Sequence, residues 1–204
     1  MTVPAHAYPR LRSSAADYIR FLKAWVRQPK QTASIVPSSP WLGRLMASRI
    51  DPHGGRVLEL GGGTGALTRE ILATGLPRDR LEVVEINQHF ARELHAAFHG
   101  VKIIQHPAES VSEHAAGGEG TYQVVISGLP ILALTPQQQQ AILAEAFKLL
   151  APGGSFIQFT YSPRSPFRPK VVEELKLGVR RIGTILRNVP PATVFRVMRA
   201  DEQD

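Results

Sequence analysis

Between residues 56 and 160 the chain alternates short apolar runs with longer stretches whose apolar positions recur every three or four residues. Short runs bounded by turn residues read as buried strands, and the wider spacing reads as helices packed against them. The runs fall at 56–60, 81–86, 101–105, 122–127 and 154–161, and the helical stretches at 65–74, 88–98 and 136–150. Strands and helices in alternation make a mostly parallel sheet covered on both faces. Residues 106–120 read as a loop with one short helical turn. Beyond 163 the alternation stops. Pro163, Pro166 and Pro169 lead into a basic helix around 170–178, and 193–198 reads as a closing strand. With no crossover helix before it, that strand is expected to pair antiparallel with 154–161.

Ahead of the sheet the pattern is different. Residues 1–14 hold Pro4, Pro9, Ser13 and Ser14 without periodicity and read as a loose arm. Over 15–28, Tyr18, Phe21, Leu22, Trp25 and Val26 recur at helical spacing with Arg20, Lys23 and Arg27 between them. A basic helix with an aromatic apolar side either packs on a core or lies in a membrane interface. Pro29 ends it, Pro37-Ser38-Ser39-Pro40 makes a turn, and 41–50 reads as a second helix with Leu42, Leu45, Met46 and Ile50 on one side. The expected organisation is an arm and cap over 1–50 and a catalytic sheet domain over 51–204.

Composition sharpens this. A chain of 204 residues buries a full single-domain core. It has no cysteine, which excludes disulfides, thiolate metal sites and thiol catalysis. No metal site is expected. No apolar run approaches the roughly 18 residues that would span a bilayer, and the N-terminus lacks a signal-peptide core, so a cytoplasmic location is expected. The net charge of +7 is unevenly spread: +7 over residues 1–50, −4 over 51–160 and +4 over 161–204. Basic flanks around a mildly acidic centre suit an anionic partner.

Three features carry chemistry. Glu59-Leu60-Gly61-Gly62-Gly63-Thr64-Gly65 ends the first strand in a turn that a nucleotide can approach closely. Glu85, about 20 residues on, ends the next strand where a carboxylate accepts both hydroxyls of a ribose. Gly128-Leu129-Pro130 follows the fourth strand at the carboxyl end of the sheet. Gly61, Gly63 and Ala66 also satisfy the dinucleotide pattern G-x-G-x-x-A, so NAD competes as the ligand. Glu59 argues against it, because a carboxylate there would repel a pyrophosphate and welcome a cationic amino group. S-adenosylmethionine has such a group, a ribose and no phosphate.

The first motif and Glu85 resemble those of class I S-adenosylmethionine-dependent methyltransferases. The flanks narrow the resemblance. Phe21-Leu22-Lys23-Ala24-Trp25, Thr32-Ala33-Ser34-Ile35-Val36-Pro37-Ser38, Ser127-Gly128-Leu129-Pro130, Phe156-Ile157-Gln158-Phe159-Thr160-Tyr161 and Asn188-Val189-Pro190-Pro191-Ala192 are together similar to the small soluble bacterial phospholipid N-methyltransferases. A more distant similarity, to ribosomal RNA adenine dimethylases, is confined to the core. That signature would carry Asn before Leu-Pro, where Gly128 stands.

The resemblance implies a Rossmann-like α/β fold, a mostly parallel seven-stranded sheet with an antiparallel last strand. It implies methyl transfer from S-adenosylmethionine to the amine of phosphatidylethanolamine and its partly methylated forms, with S-adenosylhomocysteine as product. An rRNA adenine or small-molecule methyltransferase is the alternative. The implied cofactor residues are Ser38, Glu59, Gly61, Gly63, Thr64, Glu85, Ile86, Ala108, Glu109 and Ser127. Pro107 stands where many such enzymes carry an acid for the adenine amino group, which moves that contact to the Ala108 amide and to Glu109 or Ser110. Ser127, Gly128, Leu129 and Tyr161 are the implied catalytic groups, and Arg164, Arg168 and Arg187 the candidates for a lipid phosphate. Tyr18, Phe21, Lys23, Trp25 and Arg27 are the expected membrane contacts. A monomer that binds no nucleic acid, peripheral at the inner face of the cytoplasmic membrane, completes the expectation.

Overall fold

The computed structural model describes residues 39–188 and 190–202. Seven strands form one sheet: β1 (Arg56–Leu60), β2 (Leu81–Val84), β3 (Lys102–Ile104), β4 (Tyr122–Ser127), β5 (Leu150–Thr160), β6 (Leu177–Ile185) and β7 (Ala192–Arg199). Their spatial order is β3-β2-β1-β4-β5-β7-β6. The first five are parallel, while β7 runs antiparallel between β5 and β6. The order reverses between β1 and β4, the switch point where such sheets bind ligands.

Five helices cover the described sheet: α1 (Pro40–Ala47), α2 (Ala66–Leu72), α3 (Gln88–Ala97), α4 (Pro136–Leu149) and α5 (Pro169–Glu174). Their starts are written locally. Ser39 caps α1 with Pro40 in its first turn, and the Asn87 side chain accepts from His89 and Phe90 at the head of α3. Thr135 and Gln138 form a reciprocal capping box on α4. One apolar cluster lies under α4 and α5 (Leu58, Leu60, Val125, Ile142, Leu143, Phe156, Val171). The other lies under α1, α2 and α3 (Leu42, Met46, Val57, Ile71, Leu94, Ile126, Ile157). β1 and β2 are buried on both faces, which is why they read as continuous apolar runs.

The structure corrects several boundaries. The expected helix at 170–178 stops at Glu174, and the chain then forms β6, which no apolar run announced. The strand 193–198 does pair with β5, but it is the sixth strand in space, with β6 outside it. The second helix ends at Ala47 rather than 50, and β2 ends at Val84 rather than 86, which leaves Glu85 and Ile86 free to face the rim. The expected helical turn in 106–120 is a 3₁₀ segment over Ala108–Glu113. Ser38 and the helix expected at 15–28 lie outside the described residues.

Candidate active site

Val84, Leu60, Ser127 and Gln158 stand side by side across β2, β1, β4 and β5. The residues that follow them therefore gather at one rim: Glu85–Ile86, the glycine turn, the Gly128 turn, and the end of β5 with Tyr161. The topology thus brings Glu59, Gly61, Gly63, Thr64, Glu85, Ile86, Ser127, Gly128, Leu129 and Tyr161 to one rim.

The turn is fastened to β2. The Gly61 and Gly62 amides donate to the Val84 carbonyl at 2.8 and 3.1 Å, and the Gly63 amide donates to Glu85 Oε2 at 2.8 Å. Gly61 (φ 81°) and Gly63 (φ 51°) both lie in the left-handed region, but they differ in surroundings. A Cβ on Gly61 would stand 2.9 Å from Leu129 Cδ2, whereas one on Gly63 would meet nothing within 4 Å. Gly61 is needed for close packing; Gly63 opens onto space that a ligand can fill.

Glu85 is 8% exposed and holds a second backbone donor, with Oε1 accepting from the Asn87 amide at 2.7 Å. A carboxylate has about four acceptor positions, so two remain for a ribose diol. Ile86 beside it is 66% exposed, an apolar surface next to this carboxylate. Glu59 is fully buried. Its Oε2 accepts from Thr68 Oγ1 of α2 at 2.7 Å, while Oε1 has no partner among the described residues. Burial pushes its carboxyl up to about 8, against the Thr68 hydrogen bond and with help from the Glu85 charge. A cation beside Oε1 would draw that value down. An orphaned buried carboxyl oxygen, a diol acceptor with spare lone pairs and an open glycine together fit an ammonium and a ribose.

At the Gly128 turn, the Gly128 amide donates to the Leu60 carbonyl at 2.8 Å and Ser127 Oγ accepts from the Leu129 amide at 3.2 Å. Gln158, 1% exposed, donates through Nε2 to the carbonyls of Leu129 at 3.0 Å and Phe159 at 2.9 Å, and its Oε1 is a buried acceptor without a partner among the described residues. Two carbonyl acceptors define which end of the amide is nitrogen. Tyr161 stands edge-on to Phe159, ring centroids 5.5 Å apart, and hydrogen-bonds Asn188; burial raises its hydroxyl above the ordinary phenol value. Tyr161 is thus a neutral hydroxyl at physiological pH.

The remaining candidates are more dispersed. At the adenine end, Pro107 precedes the 3₁₀ segment, Ala108 is buried, and Glu109 Oε1 accepts from Gln138 Nε2 of α4 at 3.4 Å. Ser110 is occupied locally, its amide donating to the Pro107 carbonyl at 3.3 Å. Arg168 caps α5, its amide donating to Gln139 Oε1 at 3.0 Å, and Arg164 lies in the segment that leads there. Arg187 stands over the Trp41 ring at 5.5 Å, in the β6–β7 turn. The three arginines therefore do not form one cluster. Sequence reasoning missed Thr68, Gln158 and Asn188 as site residues. Each is a polar residue that becomes buried only through tertiary packing; Thr68 and Gln158 are polar side chains set among buried apolar ones on α2 and β5, and Asn188 lies in the β6–β7 turn, where its place in a family-like segment was the available signal.

The methyltransferase domain family matches residues 57–154. An ornithine lipid N-methyltransferase of Singulisphaera acidiphila is 29% identical over 186 residues, covering 88% of this chain and 94% of that protein. A 1,6-didemethyltoxoflavin-N1-methyltransferase from Burkholderia thailandensis, solved with S-adenosylhomocysteine, superposes with a TM-score of 0.60 at 14% identity, over 96% of this chain and 92% of that one. A magnesium protoporphyrin IX methyltransferase from Synechocystis, solved with S-adenosylmethionine, gives 0.57 at 11% identity, over 93% and 100%. The fold is that of class I methyltransferases, and the cofactor inferred from Glu59 and Glu85 agrees with the domain match.

Proposed function

We propose that this chain, a class I S-adenosylmethionine-dependent methyltransferase, methylates the amine of phosphatidylethanolamine and its partly methylated forms at the surface of an anionic membrane. The observation that carries the lipid reading is the reach of the lipid-modifying relative, whose similarity runs beyond the methyltransferase domain into the flanks. Those flanks hold the excess positive charge, which suits a negatively charged leaflet.

The cofactor supplies an already activated methyl group, so the protein's task is positioning and desolvation. Glu59 receives the ammonium; Glu85 holds the ribose with Ile86 against the base. Gly61, Gly63 and Thr64 form the cradle, with Ala108, Glu109, Ser127 and Ser38 completing it. The substrate ammonium, with a pKa near that of lysine at about 10, reaches the site as a neutral amine after losing its proton to water. Gly128 and Leu129 shape the wall against Gly61, and Ser127 and the Leu129 turn, held by Gln158, orient the lone pair. Tyr161 offers a neutral hydroxyl and an aromatic face that tolerates the growing quaternary cation. Arg187, Arg164 or Arg168 takes the phosphate in bidentate fashion. Tyr18, Phe21, Lys23, Trp25 and Arg27 add membrane contacts ahead of the described residues. The arm and cap over 1–50 hold the monomer at the inner leaflet, without nucleic acid.

Radiolabelled methyl transfer to vesicles tests this. Label in phosphatidylethanolamine supports it. Label in ornithine lipid but not phosphatidylethanolamine replaces the substrate, the second reading that the relative favours. Label in RNA, removed by ribonuclease, overturns the lipid reading.

A further inference from the structure

Next to the rim, two elements far apart in sequence build one exposed surface. Trp41, in the first turn of α1, is 50% exposed, and Leu186, in the β6–β7 turn, is 76% exposed. Arg187 and Arg44 each stand over the Trp41 ring at 5.5 Å. Arg44 also meets Glu70 at 3.4 Å, so the patch sums to one excess positive charge. The support beneath it is hydrogen-bonded. Asn188 Oδ1 accepts from the Ser39 amide at 3.2 Å, its Nδ2 donates to the Pro190 carbonyl at 2.8 Å, and its side chain hydrogen-bonds Tyr161. One asparagine thus ties the start of α1, the loop carrying Leu186 and the tyrosine at the rim.

We propose that Trp41, Arg44, Leu186 and Arg187 form a docking surface for an anionic lipid bilayer that seats the rim of the site on the membrane. It rests on the lipid reading above and adds to it a contact within the folded domain, distinct from residues 18–27. The chemistry favours a bilayer. Tryptophan settles at headgroup depth, where its ring is buried and its N–H stays wet. Guanidiniums stacked on that ring lie level with lipid phosphates, which they bind bidentately. Leu186, the more exposed of the two apolar side chains, would enter the acyl boundary. Two large apolar side chains are too few for a stable protein interface, which takes about twenty residues a side, but suffice for shallow insertion. Asn188 then places Tyr161 just behind the contact plane.

Trp25 and Trp41 are the two tryptophans of the chain, so a Trp25→Phe background isolates Trp41. With vesicles of phosphatidylglycerol and phosphatidylcholine, Trp41 emission is expected to shift blue and to be quenched by brominated acyl chains. Leu186→Glu should lower vesicle partitioning at least tenfold, and Leu186→Ser by less. Both should leave S-adenosylhomocysteine affinity and methyl transfer to lipid in detergent micelles within twofold. Trp41 emission unmoved by vesicles that sediment the protein would overturn the proposal, as would unchanged partitioning of Leu186→Glu. A blue shift that instead follows protein concentration without vesicles would assign the patch to a second copy and also overturn it. Recruitment through Trp41 without transfer to any micellar lipid would support the docking surface and sink the lipid reading. Micellar transfer with no recruitment would do the reverse.

Discussion

Glu59 is where sequence chemistry and tertiary structure meet most closely. The motif places a carboxylate before the glycines; only the fold buries it and leaves Oε1 without a partner among the described residues. Its folded-state value of about 8 lies above the ordinary 4.5. Between those values the folded chain keeps a proton that the unfolded chain gives up, so this group's contribution to stability falls as pH rises from about 4.5 to 8. Urea unfolding at pH 5 and pH 8 should show that loss, on the order of a few kcal/mol, and Glu59→Gln should flatten it. Calorimetry of S-adenosylhomocysteine binding near pH 7 in two buffers should show net proton release approaching one, absent in Glu59→Gln, with affinity down at least tenfold. Near-normal affinity in that variant would contradict the charge argument for the cofactor. Gln158→Leu makes a separate prediction. Without the donor to the Leu129 carbonyl, the substrate turn loses its anchor, and kcat should fall about tenfold while cofactor affinity stays within threefold.

Among the elements, those with strong local signals were readable: β1 and β4 were legible to the residue, and α2, α3 and α4 to within two, because buried parallel strands and capped helices declare themselves over a few positions. β6 was not. It contains Gly178, Arg180, Arg181 and Gly183, is only partly buried, and is a strand because β7 offers hydrogen bonds to it. Edge strands commonly carry charges, which erase the apolar run. The glycine turn behaves as an element of its own. Gly61→Ala would impose a left-handed φ on alanine and push Cβ to 2.9 Å from Leu129. We expect about 1–2 kcal/mol of destabilisation in thermal unfolding and loss of S-adenosylhomocysteine binding. Thr135→Ala breaks the α4 capping box and should cost about 1 kcal/mol with no effect on cofactor affinity.

For the whole molecule, the division of charge into basic flanks and an acidic centre predicts that binding to the proposed anionic membrane is salt-sensitive. Sedimentation with anionic vesicles should fall at least tenfold as salt rises from 0.05 to 0.5 M, since exposed charges are screened within a few ångströms at the higher value. No helix among the described residues is long and apolar enough to cross a membrane. Most of this was local information. Periodicity determined the α/β class, the glycine turn with its two acids favoured S-adenosylmethionine over NAD, and charge counted along the chain pointed to an anionic partner, because each depends on residues close in sequence. Tertiary structure alone decided the rest: that Val84, Leu60, Ser127 and Gln158 share one rim, that Gln158 holds the Leu129 turn across 29 residues, and that Asn188 joins Ser39 across 149. Which polar groups are buried, and which arginines stack on Trp41, depends on pairings that close long loops. No window of sequence contains both partners.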